Sequence, residues 1–213
     1  MNRSVVGIID YGAGNFASVW NALRQQDCKL VSITRPEQLK LCSHIVLPGV
    51  GAFSTAMAKL KEMEIDTYLS EMLRANDRPF LGICVGMQLL ATSGDEFHYT
   101  VGLGVVSGTV TRFDVSTHVP SLPLPHMGWN DVEMPADSVL LKGIDPEDTS
   151  FYFVHCYQLQ SQDPAARFGY TVYGQRFISE IEAGLTFGVQ FHPEKSQRNG
   201  QMLLANFLKV GDA

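Results

Sequence analysis

Along the first ninety residues, short continuous apolar runs alternate with stretches whose apolar residues recur every three or four positions. Val5-Val6-Gly7-Ile8-Ile9 predicts a buried strand, Asp10 to Asn15 a turn, and Val19, Trp20 and Leu23 the apolar face of a helix starting at Phe16. Leu30-Val31-Ser32-Ile33 and His44-Ile45-Val46-Leu47 predict two more strands, the latter stopped by Pro48-Gly49-Val50-Gly51. Phe53, Met57 and Leu60, then Ile65, Leu69 and Met72, keep helical spacing. Phe80-Leu81-Gly82-Ile83 predicts a fourth strand that runs straight into Cys84 and the helix-like Met87-Gln88-Leu89-Leu90. Continuous apolar strands, each followed by a helix, form a parallel sheet covered on both faces.

From Gly102 to Val189 the pattern changes to short β-rich runs: Val105 to Phe113, Phe151 to Leu159, Phe168 to Val172, Ile178 to Ile181 and Leu185 to Gln190. Val119-Pro120-Ser121-Leu122-Pro123-Leu124-Pro125 reads as a loop or rigid spacer, and Met202 to Leu208 as a closing helix. The expected fold is α/β: a doubly wound, mostly parallel central sheet flanked by helices, with a smaller antiparallel or mixed β extension. Its 213 residues are expected to make one domain.

Composition narrows the function. With 45% hydrophobic residues the chain can build a substantial core, which excludes disorder as a dominant feature. A formal charge of −6 with no Lys/Arg cluster argues against nucleic-acid binding. No apolar run is long enough to span a membrane, and the few apolar residues before Asp10 are too short for a signal peptide. The expectation is a cytoplasmic protein. Cys28, Cys42, Cys84 and Cys156 are scattered without metal spacing, so no metal is expected and most are read as buried thiols.

Gly82-Ile83-Cys84-Val85-Gly86 has the form of a nucleophile elbow with cysteine in the serine position. Its glycines allow a sharp strand-to-helix turn that lifts the sulfur to the C-terminal edge of the sheet. The following helix would aim its N-terminus at that sulfur, favouring thiolate. A cysteine nucleophile needs a base. His44, His98, His118, His126 and His155 have no carboxylate placed to orient them, whereas His192 is followed by Pro193-Glu194. In extended chain, residues i and i+2 share a face, so His192 and Glu194 are expected to project together, stiffened by Pro193. Glu194 would then hold one ring nitrogen while the other faces Cys84. Whether His192 is a neutral base or an imidazolium is left open.

The run Pro79-Phe-Leu-Gly-Ile-Cys84-Val-Gly-Met-Gln88, with Gly188-Val-Gln-Phe-His192-Pro-Glu194 and Pro48-Gly49-Val50-Gly51, resembles the class I (triad) glutamine amidotransferases. Pro125-His126-Met127-Gly128-Trp129-Asn130 and Tyr152-Phe153-Val154-His155 strengthen the likeness, which spans essentially the whole chain. The resemblance implies that Cys84 attacks the γ-amide of L-glutamine, with His192 as general base and acid and Glu194 as orienting carboxylate. It implies oxyanion donors in the backbone of Val50, Gly51 and Val85, and glutamine-binding contacts at Gly49, Gln88, Glu96, His155, Cys156 and Tyr157. The family usually has Ser or Thr where this chain has Cys156, so only backbone contacts are expected there and its side chain is read as small and buried.

The resemblance also implies a heterodimer in which ammonia passes to a (β/α)8-barrel synthase subunit, with no cofactor in this chain. Asn15, Met127 and Trp129 are expected to face that partner. Tyr11-Gly12-Ala13-Gly14-Asn15 superficially suggests a phosphate loop, but a lone Gly-rich turn is weak evidence. Glycines on both sides of Val50 permit a peptide flip, so the oxyanion donor is also a place where the partner could switch activity. Three other readings stay open: a free-standing γ-glutamyl cysteine hydrolase, an inactive binding module, and a paralogue supplying ammonia for nucleotide-sugar amidation.

Overall fold

The computed structural model describes residues 3–114, 122–133, 135 and 137–211. The first half runs β1 (Val5–Ile9), α1 (Phe16–Leu23), β2 (Lys29–Ile33), a 3-10 turn (Pro36–Leu41), β3 (His44–Leu47), α2 (Phe53–Glu62), α3 (Ile65–Arg74), β4 (Phe80–Ile83) and α4 (Val85–Gln88). Then come β5 (Ala91–Gly94), β6 (Thr100–Val101), β7 (Val106–Arg112), β8 (His126–Asp131), β9 (Ser150–His155), β10 (Tyr157–Ser161), β11 (Arg167–Tyr173), β12 (Gln175–Ala183) and β13 (Thr186–Val189). A second 3-10 turn (Pro193–Lys195) and α5 (Gln197–Phe207) close the chain.

The main sheet has seven strands in the order β11-β12-β13-β4-β3-β1-β2. The stretch from β13 to β2 is parallel, and β12 runs antiparallel to both its neighbours. β3, β4 and β13 are buried at every residue, as strands covered on both faces must be. The register Leu47↔Gly82 and Gly82↔Gly188 sets the C-terminal ends of β3, β4 and β13 side by side. That edge is where open α/β sheets bind ligands.

The second half departs from the expected runs in two places. Phe151 to Leu159 is not one strand: it breaks at Cys156, β9 pairing with β8 and β10 with β7 in a separate four-stranded sheet. The segment His126–Asp131, not anticipated as a strand, pairs residue for residue with β9, His126 opposite His155. Of the Pro-rich stretch, Val119 to Ser121 lie outside the described residues. Among the described residues no helix is long and apolar enough to cross a membrane.

Candidate active site

β4 delivers Cys84 to the sheet edge, where its N–H donates to Val189 O at 2.7 Å and its backbone turns through φ 54°, ψ −108°. A positive φ costs a residue with a Cβ about 1–3 kcal/mol, so the surroundings must enforce it. They do so by backbone contact. A Cβ on Gly82 would lie 2.5 Å from Gly86 O, and one on Gly86 only 1.9 Å from Leu47 O. β3, β4 and α4 therefore touch main chain to main chain, with no slack to relax the elbow. The helix expected to start behind the sulfur is there, but α4 spans only four residues, so its dipole is that of a single turn. What remains is first-turn N–H groups, among them that of Val85, with no acceptor inside the helix.

His192 comes off β13 and donates its backbone N–H to Tyr152 O at 2.8 Å. Its Nδ1 lies 2.8 Å from Glu194 Oε1, and both side chains are wholly buried. The pair meets through the Pro193–Lys195 3-10 turn rather than along an extended strand as expected. Ser196 fixes that turn: its hydroxyl donates to His192 O at 2.7 Å and accepts the Tyr152 N–H at 2.9 Å. His192 Nε2 is buried without a hydrogen-bond partner among the described residues. Burial alone would press the imidazole pKa down, but the Cys84 sulfur and Glu194 outweigh it and hold His192 up at about 10.

A cavity of about 500 Å³ opens beside Cys84. Val50, Gly51, Val85, Gln88 and Glu96 line one part, and His155, Cys156 and Tyr157 another. Depressions of about 570 and 700 Å³ lie elsewhere, but none of Cys84, His192 or Glu194 borders them, so chemistry rather than size picks the site. Glu96 Oε2 accepts the Phe53 N–H at 2.8 Å, anchoring the cavity wall to the start of α2. Gly51 sits at φ +100°, a conformation that side chains strain to adopt.

Other expected residues fall differently. Gly49 lies behind the cavity, where a Cβ would come within 2.8 Å of Tyr11 Oη and of Val85 Cβ. Asn15, expected to face a partner, is 4% exposed and gives its Nδ2 to Glu194 Oε1 at 3.2 Å. Met127 and Trp129, on the outward face of β8, are 61% and 49% exposed. Cys156 is half-buried rather than buried, and its carbonyl accepts the Phe113 N–H at 2.8 Å.

Two residues escaped the sequence reading. Gln190 is wholly buried and points its amide Nε2 at the Cys84 sulfur, 3.6 Å away. Ser196 is the second. Gln190 stands two residues before His192 inside the motif, and that spacing was the only signal available.

A buried Cys–His–carboxylate line at the C-terminal edge of a parallel sheet, with a cavity over the sulfur, is the outline of a triad acyl-transfer enzyme. The family model for glutamine amidotransferase class-I matches residues 7–210. The chain belongs to that family, whose enzymes draw on the amide nitrogen of glutamine. It is 37% identical over 206 residues to the imidazole glycerol phosphate synthase subunit HisH of Leptospira interrogans, covering 97% of this chain and 100% of that protein. Against the same subunit of Rhodospirillum rubrum it is 42% identical over 212 residues, covering 96% and 98%. The crystal structure of a glutamine amidotransferase from Thermotoga maritima shares the fold, with TM-score 0.67, 18% identity and 98% of each chain covered.

Proposed function

We propose that this chain is the glutaminase subunit of an imidazole glycerol phosphate synthase, hydrolysing L-glutamine to glutamate and ammonia for histidine biosynthesis. The observation that carries this reading is the fully buried His192–Glu194 pair facing a cysteine on an enforced elbow. Similarity to HisH proteins over nearly the whole chain supports the choice of pathway over nucleotide-sugar amidation.

In this reading His192, its pKa held up by the Cys84 sulfur and Glu194, faces the sulfur as an imidazolium. Cys84 Sγ attacks the amide carbon of glutamine, and N–H groups of Val50, Gly51 and Val85 meet the oxyanion. Such a donor typically contributes about 10²–10³ in rate. His192 Nε2 passes its proton to the departing nitrogen, which leaves as ammonia with the thioester formed. His192, now neutral, takes a proton from water, whose oxygen attacks the thioester and releases glutamate. Both amide hydrogens of Gln88 are committed to Tyr157 O and Gln190 Oε1, so only its carbonyl oxygen is left for a donor group of glutamine. Ammonia then passes to a (β/α)8-barrel synthase subunit docked over Met127 and Trp129, which biases the Gly49-Val50-Gly51 peptide toward the donor state. Asn15 acts from inside, bracing Glu194.

Cys84→Ala, assayed with the synthase subunit, tests this. Glutamine-dependent synthesis should vanish while synthesis from added ammonia persists. Retained glutamine hydrolysis would overturn the assignment, and full hydrolysis by the chain alone, unchanged by the partner, would favour a free-standing hydrolase.

A further inference from the structure

Along the cavity wall, a line of buried side chains runs from the Cys84 sulfur through Gln88 and His155 to the surface strand β8. Gln190 Nε2 points at Cys84 Sγ, 3.6 Å away, and its Oε1 accepts from Gln88 Nε2 at 2.9 Å. Gln88 Nε2 gives its other hydrogen to Tyr157 O at 3.1 Å. The same carbonyl oxygen lies 2.8 Å from His155 Nδ1. His155 Nε2 lies 2.9 Å from His126 Nδ1, and His126 Nε2 lies 3.2 Å from Asn130 Nδ2. Asn130 Nδ2 also donates to Val172 O at 2.9 Å, and its Oδ1 accepts the Asp131 N–H.

Only one arrangement of hydrogens fits this line. A carbonyl oxygen only accepts, so His155 Nδ1 carries the proton facing Tyr157 O. Burial pushes both imidazole pKa values down, His155 to about 3 and His126 to about 4, so both rings are neutral. His155 Nε2 is then a bare acceptor and His126 Nδ1 must donate to it. His126 Nε2 in turn accepts from Asn130. Turning either glutamine amide over would set oxygen against oxygen at Tyr157 or nitrogen against nitrogen between Gln88 and Gln190. The donor of each bond is thereby fixed, and the two halves of the line converge on Tyr157 O, which accepts from both His155 and Gln88. The His126 ring is held between Tyr173 and Phe153, stacked at centroid distances of 4.1 and 4.9 Å, and cannot swing out.

We propose that His126 is a positioning residue for glutamine hydrolysis: through His155, the Tyr157 carbonyl and Gln88 it fixes the Gln190 amide N–H on the Cys84 sulfur. That N–H stabilises negative charge on sulfur and draws it toward the attacking geometry. Because His126 neighbours the exposed Met127 on β8, the line also joins the expected docking strand to the nucleophile. The proposal rests on Cys84 being the nucleophile.

The test compares His126→Phe, His126→Asn, Gln190→Met and the double variant His126→Phe/Gln190→Met. Phenylalanine keeps the aromatic stack and removes both ring nitrogens; asparagine keeps a donor near the Nδ1 position. Two quantities are read: glutaminase kcat and KM with the synthase subunit present, and the rate at which iodoacetamide alkylates Cys84 in the full chain. Losing one hydrogen bond to a charged group predicts a roughly tenfold fall in kcat for His126→Phe with KM nearly unchanged. Cys84 alkylation should slow in step, and His126→Asn should restore most of both. Gln190→Met should match or exceed His126→Phe, and the double variant should be no worse than Gln190→Met alone, since both break one line. Equal losses in His126→Phe and His126→Asn, multiplying effects in the double variant, a change confined to KM, or unaltered alkylation would each overturn the proposal. If His126→Phe does not fold, Asn130→Leu breaks the line one residue further out, and unaltered alkylation there would overturn it equally. Altered alkylation alongside a Cys84→Ala chain that still hydrolyses glutamine would uphold the line and discard Cys84 as nucleophile.

Discussion

Cys84 and His192 end neighbouring strands of one sheet, yet they are held in opposite ways. The cysteine elbow is steric: a residue at φ 54° pinned by main-chain contacts that Gly82 and Gly86 alone allow. The histidine turn is polar: an extended residue at φ −105° whose place depends on Glu194, Ser196 and Tyr152 hydrogen bonds. A sterically enforced group stores strain and resists displacement, whereas a hydrogen-bonded one gives way by degrees as each bond is removed. Cys84 is thus fixed in position while His192 is tuned in charge.

The sharpest way to break this comparison is Cys84→Gly. Glycine relaxes the positive φ, so thermal unfolding should show a gain of about 1 kcal/mol. Glutaminase activity should be lost altogether. A stability loss comparable to a core truncation would show that the elbow is not strained.

Ser196→Ala should act more mildly on the other side. Removing the hydroxyl leaves the Tyr152 N–H without its acceptor, costing about 1–2 kcal/mol in unfolding free energy. Activity should fall by roughly tenfold as the imidazole loses its orientation, about one hydrogen bond's worth. Equal kcat in Ser196→Ala and wild type would make the turn's hydrogen bonds irrelevant to the base.

The smallest effect lies away from the site. Glu180 is wholly buried beside Ser138 Oγ, at 2.7 Å, and burial pushes its pKa from 4.5 up to about 8. A folded carboxyl with a raised pKa binds more protons than the unfolded one between pH 4.5 and 8. Its stability contribution is therefore full below pH 4.5 and is lost as pH rises through about 8. Glu180→Gln should flatten that decline, giving a variant more stable relative to wild type at pH 9 than at pH 5, read by urea unfolding at both pH values. A constant difference would mean Glu180 does not titrate in that window.

The same contrast explains what the sequence disclosed. Steric features are local: the strand, glycine and turn pattern around Cys84 and the βα units before it follow from residue spacing, because β3 and β4 are buried at every residue and each leads through a short turn into a helix. Polar features depend on remote partners. Asn15 looks like a loop residue facing outward, and only the fold brings Glu194, 179 positions away, onto its amide. Gln190 has no visible role until β10 and α4 bring Tyr157 and Gln88 beside it. His192 and Glu194 meet as expected, but through a turn, because Pro193 starts a 3-10 helix as readily as it stiffens a strand. Cys156 breaks one apolar run into strands of two sheets, which hydrophobicity alone does not mark.

The central claim is that Cys84 carries the glutamyl group during turnover. Acid-quenching the chain with its synthase subunit under saturating glutamine, then mapping peptides by mass, measures this directly. The account predicts a glutamyl adduct on the peptide containing Cys84, absent without glutamine and lost in Cys84→Ala. Turnover with no adduct there, or with the adduct on Cys156, would contradict it.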